Sequence, residues 1–220
     1  MIQNVLVFVI LLIQGLEQNK VESDCEKEPR EDIWSQNSQY MESYHENSLG
    51  KVSLVLGASG ETGKEVVKNL VENKDFREII VVGRREFTFP DDEKFKKITQ
   101  KIVNFDNLSA HKEVFTGIDV AFCCLGTTRA IAGAEGFVKV DHDYVLEAAT
   151  LLNEFQCPEF HLLTSKGSNS GSMFLYPSTK GKVEEAVIDL KFNKLSIYRP
   201  GLLLCSRDNQ RFLGLLKTFN

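Results

Sequence analysis

The sequence predicts an α/β chain built on a doubly wound parallel sheet. Three observations carry that expectation. Short aliphatic runs recur between residues 52 and 198, patterns of helical period separate several of them, and a glycine-rich loop joins the first run to the first helical pattern. Strand alternating with helix is the signature of a parallel sheet covered on both faces.

The elements follow in chain order. Residues 52–56 form a first β-branched and aliphatic run, and residues 79–82 a second, closed by Gly83. Residues 98–103, 120–124, 160–164 and 195–198 complete six predicted strands. The runs are continuous rather than alternating, as expected of strands buried on both faces. Between them, residues 62–73 place Val66, Val67, Leu70 and Val71 on one helical face. Residues 142–153 do so with Val145, Leu146, Ala149 and Leu152, and residues 183–190 with Val183, Ala186, Val187 and Leu190. The small-residue stretch "AGAEGF" after the fourth strand reads either as a loop over a ligand or as a packing turn.

The 220 residues suffice for one domain with a sizeable core, here residues 51–220. Two segments precede it. Residues 1–16 contain the apolar run "VLVFVILLI" at positions 5–13, shorter than the roughly 20 residues that span a bilayer. It lacks a basic start and a clear cleavage site. It reads as an uncleaved leader that could associate weakly with a membrane, with a secretory signal as the alternative. Residues 17–50 are polar and acidic without apolar period, as expected of a flexible linker.

A net charge of -5 speaks against a basic nucleic-acid-binding face. Five cysteines form no spaced framework, and Cys123 and Cys124 are adjacent, so a reducing compartment is expected. The four histidines lack metal-ligand spacing, and no metal site is expected.

Gly57, Gly60 and Gly63 stand at G-x-x-G-x-x-G between the first strand and the first helix. In a Rossmann-type fold such glycines provide a tight turn, a close backbone approach to a pyrophosphate, and close helix–strand packing. The helix N-terminus then presents N–H groups to phosphate, with hydroxyls of Ser59 and Thr62 beside it. A nucleoside-triphosphate loop fails on spacing: Ala58 stands where its first glycine belongs, and Glu65 where Ser or Thr must follow Lys64. A site preferring NAD usually places an acid after the second strand. This chain has Arg84 and Arg85 there, which suit a 2′-phosphate and so NADPH.

"YPSTK" supplies Tyr176 and Lys180, four residues apart on one helix face. An ammonium near a phenol favours proton exchange near neutral pH. Ser165, with Thr164 as alternate, could hydrogen-bond a substrate carbonyl. Pro177 predicts that Tyr176 sits at the helix cap, outside the first turn.

The stretches "LGASGETG", "GRR", "FCCLGTTR", "AGAEGFVKVD", "DYVL", "SKG", "KFN" and "RPGLLLC" resemble atypical short-chain dehydrogenases/reductases over most of residues 51–211. The resemblance implies cofactor contacts at Ser59, Gly60, Glu61, Thr62, Arg84, Arg85, Leu125, Gly126, Tyr176, Lys180, Leu203 and Arg211. It implies Tyr176 as proton donor, Lys180 as its tuning partner and Ser165 as carbonyl orienter. Asn104 stands where the family tends to have Asp on the adenine side, and the chain reads as C-terminally shortened.

Two functions are open at this stage. One is an NADPH-binding, redox-responsive regulator, for which the resemblance implies roles in nuclear import, apoptosis and tumour suppression, with nuclear transport receptors as partners. The other is an NADPH-dependent carbonyl reductase. The expected location is cytoplasmic, with the nucleus or nuclear envelope as further sites, and the expected state is a monomer.

Overall fold

A computed structural model describes residues 50–201. The leader, nearly all of the linker, Leu203 and Arg211 lie outside the described residues. The strands are β1 (Lys51–Leu56), β2 (Phe76–Gly83), β3 (Ile98–Ile102), β4 (Val120–Cys123), β5 (Glu159–Leu163) and β6 (Lys194–Tyr198). The helices are α1 (Glu61–Glu72), α2 (Arg129–Val138), α3 (Tyr144–Glu154) and α4 (Leu175–Asp189). A π turn, Lys139–Asp143, joins α2 to α3, and 3-10 stretches Glu93–Lys97 and Phe105–Phe115 flank β3.

All six strands run parallel in the order β3-β2-β1-β4-β5-β6. This is the Rossmann-type sheet that the sequence predicts. Alternation along β1 assigns its side chains to two layers. Leu54 and Leu56, with Ala121 and Cys123 of β4, pack against Ala148 and Leu152 of α3 and Val183 and Val187 of α4. Val55 faces the other way, with Ile79, Val81 and Phe122, against Val66, Val67 and Leu70 of α1. Sheet order reverses between β2-β1 and β4, so a crevice opens beyond the C-terminal ends of β1 and β4.

Three expectations need correction. The "AGAEGF" stretch is neither a plain loop nor a turn but most of α2. Its helical period is obscured by Gly133, which kinks the helix at φ 73°, and by Gly136. The pattern at residues 142–153 begins helical only at Tyr144, because the π turn precedes it. Leu146 is half-buried rather than core. Pro177 does not expel Tyr176 from the helix: α4 starts at Leu175, capped by Phe174, and Tyr176 lies in its first turn. Proline is tolerated there because the first N–H groups of a helix have no intrahelical partner.

On the α1 face, β5 and β6 carry a buried polar network. His161 Nε2 meets Glu159 Oε1 at 3.0 Å, and its Nδ1 meets the Tyr198 hydroxyl at 3.0 Å. Lys194 Nζ lies 2.6 Å from the same Glu159 oxygen. The imidazole stacks on Phe122 with centroids 4.7 Å apart. Burial alone would raise the Glu159 carboxyl above its ordinary range. The hydrogen bonds and charges of His161 and Lys194 outweigh burial and lower it. A depressed folded-state value means stability that is present above the unfolded carboxyl value, near 4.5, and is lost as pH falls through the folded value. Thermal midpoints followed from pH 7 downward should therefore drop below about pH 4.5, and Glu159→Gln should flatten that drop while lowering the midpoint at pH 7. An unchanged acid slope in the variant would refute the assignment.

Candidate functional site

The site begins at Gly57, at the end of β1. Its φ is +80°, and a Cβ there would lie 2.5 Å from the Cys124 carbonyl oxygen and 2.8 Å from the Leu125 nitrogen. The loops after β1 and β4 thus meet backbone to backbone. Gly63 is equally constrained, since its Cβ would fall 2.2 Å from the Gly57 carbonyl oxygen. Gly60 differs. Its φ is an ordinary -76°, and the nearest atom to a Cβ would be the Gly57 oxygen at 3.4 Å. Two glycines are required by the fold. The third leaves open space that the protein itself does not fill.

Gly60 N-caps α1, and the first intrahelical bond runs from the Lys64 N–H to the Gly60 carbonyl at 2.9 Å. The N–H groups of Glu61, Thr62 and Gly63 precede that bond and face the partial positive end of a 12-residue helix. Such a terminus accepts phosphate.

Beyond it lies a cleft of about 710 Å³, within the usual range for cofactor sites. Gly57, Ser59, Gly60, Arg84, Arg85, Leu125 and Gly126 line it, as the sequence suggests. Glu61, Thr62 and Gly63 stand outside its wall: the Glu61 carboxylate pairs with Lys64 at 3.1 Å, and the other two are buried in the first turn of α1. Sequence reasoning missed Val82, Phe87, Phe105, Thr127, Ile131 and Tyr144, which are among the rest of the lining. Ile131 reaches it because α2 is a helix.

At the end of β2, Arg84 and Arg85 are exposed at the cleft wall. Nearby, the Tyr144 ring packs tilted against Phe105 with centroids 5.4 Å apart, and its hydroxyl donates to Asp106. Lys139 Nζ sits 2.6 Å from the same carboxylate. The Lys139 and Tyr144 hydrogen bonds lower the Asp106 carboxyl, with a smaller push from Arg84. The Asn104 side-chain oxygen accepts the Asp106 N–H at 3.0 Å.

The Y-x-x-x-K set is divided. Tyr176 is half-exposed and stacks on Phe137 at 5.5 Å. Lys180 is buried, and its ammonium lies 2.9 Å from Asp141 Oδ1. Among the described residues no hydrogen bond joins Tyr176 to Lys180 or to Ser165. None of the three lines the cleft. Thr164 is committed, donating its hydroxyl to the Tyr198 carbonyl at 3.2 Å. The Ser165 hydroxyl is buried and has no hydrogen-bond partner among the described residues. Burial pushes the Cys123 thiol up to about 11 and Cys124 higher still, so neither is a thiolate at neutral pH.

The glycine cradle and the open helix terminus fit a dinucleotide. Comparisons with known proteins agree. The family described as semialdehyde dehydrogenase, NAD binding domain, matches residues 51–152. Protein HTATIP2 of Rattus norvegicus is 47% identical over 161 residues, covering 73% of this chain and 66% of its own length, so the chain spans just under two thirds of that relative. The mitochondrial protein FMP52 of Lodderomyces elongisporus is 36% identical over 168 residues, covering 73% of this chain and 70% of its own. The structure of Pen from Bacillus thuringiensis superposes with a TM-score of 0.63 at 17% identity, covering 77% of this chain and 57% of that one, a likeness of fold. These matches correct the expected cytoplasmic or nuclear location and its secretory alternative, because fungal relatives at 34–36% identity are named mitochondrial proteins. The matches support a nicotinamide cofactor, and the cleft is its candidate site.

The two kinds of glycine should separate experimentally. Gly63→Ala should lower unfolding stability by at least about 1–3 kcal/mol through overpacking. Gly60→Val should cost only about 1 kcal/mol, as a poor N-cap, yet remove nicotinamide-nucleotide binding. Denaturant titration with calorimetric binding checks both, and a Gly60→Val variant that binds normally would contradict the cradle.

Proposed function

The chain belongs to the nicotinamide-nucleotide-binding, oxidoreductase-like family of Protein HTATIP2 and the fungal FMP52 proteins, and from that membership we propose that it binds NADPH and that occupancy of the cleft is its output. One observation carries the proposal: two arginines at the end of β2 stand at the wall of the cleft beside the glycine turn, while the Tyr176–Lys180–Ser165 set is not assembled around it.

Arg84 and Arg85 are the residues that would hold a 2′-phosphate, through charge-assisted hydrogen bonds that an NAD-type ribose cannot form. The α1 terminus and the Gly57–Gly60 turn would receive the pyrophosphate. When bound, the cofactor supplies a hydride. Lys180 is paired with Asp141, and among the described residues half-exposed Tyr176 makes no hydrogen bond to Lys180 or Ser165, so proton delivery is not arranged in this state. Occupancy then acts through protein partners, which for this family reading include nuclear transport receptors. A mitochondrial association is proposed from the names of the fungal relatives, and cell fractionation that finds the chain elsewhere would overturn that part.

A second reading, reduction of a carbonyl, is favoured by Ser165. Its unpartnered hydroxyl could hold a carbonyl oxygen while Tyr176 donates a proton.

Calorimetry should give tighter binding of NADPH than of NADH. Replacing Arg84 by Asp and Arg85 by Ser should remove about 1–3 kcal/mol of that preference; equal affinities in the unmodified chain would refute it. Tyr176→Phe separates the two readings. Partner capture that follows NADPH occupancy and survives Tyr176→Phe supports regulation. Carbonyl reduction abolished by Tyr176→Phe with NADPH affinity retained supports the reductase instead.

A further inference from the structure

We infer that Asp141 is the positioning residue of this site, the single carboxylate that ties the loop after β4 to Lys180 on α4. The inference rests on reading the cleft as an NADPH site. Asp141 Oδ2 accepts the Thr127 N–H at 2.8 Å, and Thr127 lines the cleft beside Leu125 and Gly126. Asp141 Oδ1 lies 2.9 Å from Lys180 Nζ, and the two side chains are only 2% and 6% exposed. A Cβ on Gly126 would come within 3.4 Å of Oδ1, so the loop packs directly on the carboxylate.

The backbone delivers Asp141 there by an unusual route. It lies in the π turn Lys139–Asp143 that interrupts the α2–α3 run. Such turns are rare and concentrate at functional sites, because the wider turn re-aims one side chain. Val140, next to it, lines the cleft, while Asp141 is buried behind the lining loop, against Thr127.

A buried ion pair is a weak source of stability, since apolar residues of similar volume often serve as well or better. What it supplies is position. Lys180 has three N–H donors. Asp141 holds one, which fixes the ammonium and leaves two for hydroxyl oxygens such as those of the nicotinamide ribose. Lys180 therefore works as an anchored donor with its charge compensated. Movement of the Thr127 loop is passed to α4 through the same carboxylate.

Two ligands read this directly in the full chain. NADPH reaches both ends of the cleft. Adenosine 2′,5′-bisphosphate carries the arginine-facing end and lacks the nicotinamide ribose. Asp141→Asn keeps a carbonyl oxygen for the Thr127 N–H and removes the counter-charge of Lys180. It should weaken NADPH by about tenfold or more and leave the bisphosphate within about twofold. Loss of affinity for both ligands would mark a merely structural role and overturn the inference, as would loss for neither. If Asp141→Asn does not fold, Lys180→Gln, which leaves the Asp141 carboxylate without its counter-charge, is compared with the double variant Asp141→Asn/Lys180→Gln, which buries no lone charge. Equal NADPH affinity in those two supports action through Lys180, and a further loss in the double variant overturns it. An unmodified chain that binds neither ligand refutes the NADPH reading and this inference together. An unmodified chain that binds both, beside an unaltered Asp141→Asn, refutes the inference alone.

Discussion

Everything in this domain depends on the contact between two backbones at the point where the sheet reverses its order. Gly57 closes β1 against the Cys124 carbonyl with no room for a methyl group. Because β1 is central, with β2 on one side and β4 on the other, that contact sets the spacing of both halves of the sheet. It also fixes where α1 begins, since Gly63 packs on the same Gly57 carbonyl. One carbonyl thus positions the helix terminus, the β4 loop and the crevice between them. A side chain at Gly57 would have to adopt a left-handed backbone and displace the β4 loop together.

The nucleotide cleft and the Y-x-x-x-K helix are distinct constructions joined at few points. The cleft belongs to β1, β2, β4 and α2. Tyr176 and Lys180 belong to α4, on the layer that also carries α3. The π turn is where these constructions meet, and a residue in it can touch both. Folds of this kind host many activities on one scaffold because such junctions can be altered without disturbing the sheet.

Much of the fold was legible in the sequence because its strands are buried on both faces and read as unbroken aliphatic runs. Residues 79–82 lie within β2, and residues 52–56 omit only Lys51 of β1. The face of α1 was legible for a similar reason: Val66, Val67, Leu70 and Val71 fall at helical spacing and all are buried. Helix α2 was not, because its glycines mask the period and Ile131 is largely exposed. Lys180 was recognisable by its spacing from Tyr176, but its partner was not. Asp141 is one of two acids in "VKVDHD", both in the π turn, and only its burial distinguishes it from its exposed neighbour Asp143. Local spacing reports which residues share a helix face. It does not report a pairing between residues 39 positions apart, on two helical segments that meet only in three dimensions.

The stretch after Arg84 and Arg85 has one further property. Gln100, on the outer strand β3, accepts the Phe87 N–H with its side-chain oxygen at 2.8 Å and donates its amide N–H to the Phe87 carbonyl at 2.7 Å. A side chain here imitates a neighbouring strand. The Phe87 ring meanwhile crowds Gly83, where a Cβ would lie 2.8 Å from it, and leans on Phe89 at 6.4 Å. The arginine backbone is therefore held from both sides before any anion arrives. Association then carries little of the ordering entropy that an unanchored loop would lose. Its heat should consequently vary with the anion presented far more than its entropy does.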